Sequence, residues 1–157
     1  MDLFTVSFFG HREIDDIRKA EEKLEKLIRE LIHTKDYVEF LVGRNGEFDT
    51  LVSSTIRSTA KRCDYGNHSH ILILPYQTAE YLNNINSFND YYSEVEICEQ
   101  SAASHFRSAI QIRNKIMVDR SDLVVCYINR KNGGAYKTML YAKKQNKTIV
   151  NLADFQI

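Results

Sequence analysis

Hydrophobic positions along the chain follow two alternating periods. Thr5 to Gly10 (TVSFFG) is a β-branched and aromatic run that ends at glycine, and after it Ile17, Ala20, Leu24, Leu27, Ile28 and Leu31 recur at helical spacing. The pattern predicts strand, turn and amphipathic helix. Tyr37 to Gly43 (YVEFLVG) repeats the format: a polar turn, RNGEFD, follows the glycine, and Val52, Ile56, Thr59, Ala60 and Cys63 mark a second helix face. His70 to Tyr76 (HILILPY) reads as a third strand closed by Pro75, the sole proline, which a strand end accepts and a central strand resists.

Residues 77–95 break the rhythm. They are rich in Asn and Tyr (YLNNINSFNDYYSE) and sustain neither period, which reads as an insertion or lid. Helical periodicity returns over Phe106 to Val118, Leu123 to Asn129 is a continuous apolar strand, Gly133-Gly134 opens a helix through Ala142, and Thr148 to Leu152 closes the chain with a strand. Continuous apolar strands alternating with helices indicate a parallel sheet buried on both faces, because right-handed crossovers place helices on each side. The expected architecture is α/β: a Rossmann-like three-layer sandwich of about five parallel strands with helices on both faces.

Composition narrows the function classes. A chain of 157 residues suffices for one domain with a substantial core, so residues 1–157 are read as a single unit. The 21 basic and 21 acidic side chains cancel, removing the overall positive field of a protein that coats nucleic acid. General nucleic-acid binding is therefore not expected, and any anion site must be local. Apolar runs such as Leu123 to Ile128 fall far short of the roughly 20 residues of a membrane span. With no basic leader ahead of Gly10-His11-Arg12-Glu13, the expected location is cytoplasmic. Cys63, Cys98 and Cys126 form no CxxC pair and read as structural thiols.

In open parallel sheets ligands bind beyond the carboxyl ends of the strands. Those ends carry Gly10-His11-Arg12, Gly43-Arg44-Asn45-Gly46-Glu47 and Arg130-Lys131-Asn132-Gly133-Gly134, each combining glycine with a basic side chain. Glycine lets backbone approach a ligand, a following helix presents unpaired N–H groups, and arginine can hold two phosphate oxygens at once. One such loop is an ordinary turn; three converging suggest a phosphate-bearing ligand. Neither GxGxxG nor GxxxxGK[ST] occurs, so the dehydrogenase and P-loop readings lose their best support.

Arg113 is the most informative single residue. At 100° per residue it falls in the arc of Phe106, Ala109, Ile110, Ile116 and Met117, not with Arg107 and Lys115 on the polar face. A guanidinium aimed inward needs a carboxylate, backbone carbonyls or a ligand anion. His68-x-His70 places two imidazoles on one strand face, but no Cys, Asp or Glu cluster has metal-site spacing, so no metal and no cofactor is expected. His11 stands in the first ligand-facing loop, where it could donate to a phosphate or pack as a helix-start residue. Glu47 is the candidate acid or base, and Asp49 is equally a helix cap. The tyrosines of 77–95 could stack on a base, cover a pocket or form a subunit contact.

TVSFFGHRE, the GRNGEFD turn, RNKIMVDRSDLVVCYI and GGAYKTMLYAKKQNKTIVNL, in that order, resemble the SLOG superfamily. This Rossmann-like group includes Lonely Guy phosphoribohydrolases and nucleotide-sensing domains of bacterial defence systems, and the likeness is to small bacterial members with a GHR turn. The resemblance spans most of the chain except 77–95. It implies that Gly10, His11, Arg12, Gly43, Arg44, Arg113, Asn114, Gly133, Gly134 and Thr138 line a pocket for a nucleotide or nucleotide derivative. Lonely Guy hydrolases carry a PGGxGTxxE segment whose glutamate acts in cleaving the glycosidic bond; here Asn132 to Leu140 lacks both the proline and the glutamate. Binding is therefore preferred to catalysis. The expected partner is a nucleotide-derived small molecule, of ADP-ribose type or a cyclic nucleotide signal, held by a sensor or sequestering protein. The alternatives are a nucleotide N-glycosidase or phosphoribohydrolase using a displaced carboxylate such as Glu47, and a homo-oligomeric interaction module with a vestigial pocket.

Overall fold

A computed structural model describes residues 2–63 and 66–156. The two ends of the expected 1–157 unit, Met1 and Ile157, lie outside the described residues. The elements alternate: β1 (Leu3–Gly10), α1 (Ile17–Thr34), β2 (Tyr37–Val42), α2 (Glu47–Cys63), β3 (His68–Leu74), α3 (Ala79–Asn83), α4 (Ile85–Tyr91), β4 (Glu94–Ile97), α5 (Glu99–Ala102), α6 (Phe106–Arg120), β5 (Leu123–Tyr127), α7 (Gly134–Lys144) and β6 (Thr148–Asn151). All six strands pair in parallel in the order β4-β3-β2-β1-β5-β6. The chain is thus the expected α/β sandwich with one strand more than anticipated.

The additional strand is β4, which pairs with β3 from Ile71 against Glu94 to Leu74 against Ile97. It escaped the hydrophobic pattern because its sequence, EVEI, is short and half polar, as suits the outer edge of a sheet. Residues 77–95 fold into α3, α4 and the first residues of β4. Their tyrosines and phenylalanine pack together: Tyr81 meets Phe88 edge-on at 5.4 Å, and Tyr91 meets Tyr92 edge-on at 4.8 Å. Phe88 and Tyr92 are buried in the principal core.

Strand alternation sorts the core into two layers. Val6, Phe8, Val38, Phe40, Leu72 and Val125 face α1 and α2, meeting Leu24, Ile28, Ile32, Phe48, Val52 and Ile56. Phe9, Leu41, Ile71, Ile73 and Val124 face the other way, onto Met117, Val118 and Ala142 of α6 and α7. Because β1, β3 and β5 are covered on both faces, their inner residues read as nearly unbroken apolar runs. Cys126 and Cys98 are buried, Cys63 only partly, and burial pushes the Cys126 thiol up to about 12. No helix among the described residues is long and apolar enough to cross a membrane.

Strand order reverses between β1 and β5: β2, β3 and β4 extend the sheet one way, β5 and β6 the other. The loops leaving β1 and β5 therefore part to opposite faces and open a crevice at the carboxyl edge.

Candidate functional site

That crevice is a cleft of about 360 Å³, open to solvent. Its walls are Gly10, His11 and Arg12 after β1, Gly43, Asn45 and Asp49 after β2, Arg130, Gly133, Gly134 and Ala135 after β5, and Ile110, Gln111, Arg113 and Asn114 from α6. Close approach explains the first glycine. A Cβ on Gly10 would lie 2.3 Å from the ring of Phe48, so the residue at this strand end must be small for α2 to seat. Gly133 has φ +91, a left-handed conformation that only glycine adopts cheaply, and it turns the chain into α7.

Arg113 forms the floor of the cleft. It is 2% exposed; Nη1 donates to the Ile73 carbonyl at 2.9 Å and Nε to Asn114 Oδ1 at 3.0 Å. Asn114 in turn donates to Thr138 Oγ1 at 3.0 Å, and Thr138 donates to the Gly134 carbonyl at 3.0 Å. This relay ties α6 to the first turn of α7. Among the described residues no carboxylate forms a contact ion pair with Arg113. Asp49 stands nearby, and both side chains face Gly43, where a Cβ would meet Asp49 Oδ2 at 3.1 Å and Arg113 Nη1 at 3.3 Å. Burial lowers the Arg113 pKa, with Asp49 opposing, and burial raises that of Asp49 against the Asn45 amide that donates to it. Among the described residues the remaining N–H groups of the guanidinium have no protein acceptor, and at the wall of an open cleft they are available to an anion.

His11 is buried, and burial, then Arg130, lowers its pKa against the opposing Asp15. Its Nε2 faces the Asn129 amide at 3.3 Å, and an imidazole that accepts there carries its proton on Nδ1. Nδ1 points toward Gly133, where a Cβ would stand 4.0 Å away. The two helix N-termini beside the cleft differ. At α2 the Glu47 amide donates to the Arg12 carbonyl, and just ahead of the helix Asn45 N donates to Asp49. At α7 no side chain caps the first turn, and among the described residues no acceptor meets the amides of Gly134 and Ala135, which line the cleft.

Of the residues singled out in the sequence, Gly10, His11, Arg12, Gly43, Arg113, Asn114, Gly133 and Gly134 come together here. Thr138 lies beneath, buried, holding Asn114. Arg44 turns away: it donates to both Glu80 oxygens at 2.9 and 3.2 Å and to the Tyr92 hydroxyl at 3.0 Å, and lies over the Phe88 ring. Glu47 is exposed and accepts from the Ile14 amide at 3.1 Å, bracing the loop after β1. Sequence reasoning placed Arg130 and Asn45 in the ligand-facing loops without counting them among the pocket residues, and it missed Gln111. Arg130 was signalled by its place in the loop after β5, whereas Gln111, which donates to the Gly134 carbonyl at 3.3 Å, carried no signal. No group of three or more His, Cys, Asp or Glu among the described residues is placed to hold a metal ion.

A search of solved structures places this fold. DNA processing protein A from Helicobacter pylori, described for its unique single-stranded DNA binding mode, superposes with a TM-score of 0.64 at 15% identity over 93% of this chain. DNA processing protein A from Streptococcus pneumoniae gives 0.65 at 14% identity over 94%. The chain shares its fold with DNA processing protein A. It spans 63% and 49% of the length of those two chains. No family model and no curated protein matches it.

These neighbours overturn two expectations drawn from the sequence, that the partner is a nucleotide-derived small molecule and that general nucleic-acid binding is excluded. The second failed for a physical reason. A net charge of zero is a sum over the whole chain, while a phosphate meets only the charges within about a Debye length, ~8 Å at physiological salt. The cleft has Arg12, Arg113 and Arg130 against Asp49. The first rested on phosphate-holding residues alone, and a phosphate presents itself in the same way on a free nucleotide and on one link of a strand.

Proposed function

We propose that the chain binds single-stranded DNA, seating a backbone phosphate in the cleft between β1 and β5. The observation that carries this reading is Arg113: a guanidinium 2% exposed, fixed by two protein acceptors, and left with free donors toward an open cleft. Around it, the Nδ1 proton of His11, the uncapped amides of α7, and Arg12 and Arg130 on the rim suit a phosphodiester. The fold shared with DNA processing protein A supports the polymer over a free nucleotide. On this reading the chain is a SLOG-type nucleic-acid binder, with Gly10, Gly43, Gly133 and Gly134 keeping the backbone close to the strand.

Fluorescence anisotropy with a dye-labelled oligothymidine, its duplex and thymidine monophosphate as competitor tests the proposal. The single strand binds more tightly than the duplex, and the monophosphate competes weakly. One seated phosphate gives a slope of log K against log salt of about −0.7, and each further phosphate that Arg12 or Arg130 neutralises steepens it by a like amount. Absence of binding at low salt refutes the proposal, as does competition by the monophosphate at concentrations matching the strand.

A further inference from the structure

The first turn of α6 carries an aromatic surface that the phosphate cleft does not use. Phe106 is 64% exposed, more than any other large apolar side chain among the described residues. The His105 ring stacks on it at 4.7 Å with an interplanar angle of 28°, and the Arg107 guanidinium lies over it at 5.9 Å. Single exposed apolar side chains are ordinary. A phenylalanine flanked by an imidazole and a guanidinium, one helical turn before Ile110 of the cleft wall, is a more specific arrangement.

Helix geometry sets its position. At 100° per residue Phe106, Ile110, Arg113 and Met117 fall within about 60° of one another, so Phe106 continues the stripe that lines the cleft. It lies seven residues before Arg113, about 10 Å along the axis. Because α6 runs antiparallel to the strands it joins, this turn stands at the carboxyl edge of the sheet, one turn beyond Ile110 of the cleft wall. A strand with one phosphate on Arg113 would bring a neighbouring base to that turn.

We propose that Phe106 is the stacking platform for a base of the bound single strand, with His105 backing the ring and Arg107 adding a cation beside the adjoining phosphate. The inference rests on the reading of the cleft as a single-strand site. Aromatic faces accept every base, so the platform supplies affinity for unpaired bases without sequence preference, and a duplex, whose bases are already stacked, cannot use it.

The chain contains no tryptophan, so Phe106→Trp installs a single reporter at the proposed contact. Wild type, Phe106→Ala and Phe106→Trp are titrated with oligothymidine and with an abasic strand of equal length. Phe106→Ala binds oligothymidine roughly five- to 150-fold more weakly and the abasic strand unchanged. Phe106→Trp keeps the affinity, and its emission is quenched by oligothymidine and not by the abasic strand. Equal losses of Phe106→Ala on both strands, or wild-type affinity of Phe106→Ala for oligothymidine, or unquenched emission at saturation, each overturn the platform and leave the cleft standing. Failure of the wild type to bind either strand overturns the cleft reading, and the platform with it.

Discussion

Replacing Arg113 by alanine removes two interactions at once, and the structure separates them. In the ligand-free protein the guanidinium satisfies the Ile73 carbonyl and Asn114 Oδ1. A hydrogen bond from a charged donor is worth roughly 1.5–3 kcal/mol. Water entering through the open cleft would rehydrate both acceptors and offset part of that sum, while Asp49 would lose its nearest cation. Arg113→Ala is therefore expected to cost about 2–4 kcal/mol of stability, seen as a fall in melting temperature of about 4–16 °C for a domain of this size. Its affinity for oligothymidine should fall about 10- to 100-fold, the loss of one charge-assisted contact. Arg113→Lys keeps the charge and the stem, yet one ammonium cannot serve Ile73, Asn114 and a phosphate together, so it recovers part of each loss. Urea denaturation without ligand, with the slope checked for two-state behaviour, measures the first quantity. Anisotropy under conditions where the variant is folded measures the second. Stability within 0.5 kcal/mol of wild type, on the scale of an inert surface change, refutes the hydrogen-bond argument. Undiminished affinity in the folded variant removes Arg113 from the phosphate site.

Three further expectations concern other parts of the fold. His70 is buried, with Nε2 on Ser53 Oγ, and burial pushes its pKa down to about 3. Its folded value lies below the unfolded one, so the unfolded chain takes the proton first, and stability is full above about pH 6.5 and falls as pH drops toward 3. Between pH 7 and 5 the loss is about 2 kcal/mol, and His70→Phe should lack that increment; parallel urea profiles for the two proteins would contradict it. Asp49→Asn keeps an acceptor for the Asn45 amide and removes an anion from the cleft, so oligothymidine should bind about five-fold more tightly, and weaker binding would mean that the carboxylate itself contacts the strand. Gly10→Ala drives a methyl into the buried Phe48 ring and should cost about 1–3 kcal/mol by urea denaturation, with wild-type stability arguing against the close approach at β1.

Local periodicity determined a large part of this protein. Apolar runs at β1, β2, β3 and β5, with helical stripes after β1, β2 and β5 and ahead of β5, were enough for a parallel sheet clothed on both faces, because the two periods of 2 and 3.6 residues are properties of neighbouring residues. The same logic aimed Arg113 inward and set glycine with arginine at the strand ends. Tertiary structure decided the rest. Periodicity gives a direction and not a depth: Phe106 shares the arc of Arg113, yet one is 64% exposed and the other 2%, since the first turn of α6 lies outside the cover that buries Arg113. β4 exists by pairing with β3, a long-range partnership that four alternating residues cannot announce. Arg44 belongs to the same glycine-arginine pattern as Arg12, but Glu80 and Tyr92, 36 and 48 residues further along the chain, hold it away from the cleft. Which face a side chain takes is written in its neighbours. Which partner it finds there depends on chain segments that meet only when the sheet assembles.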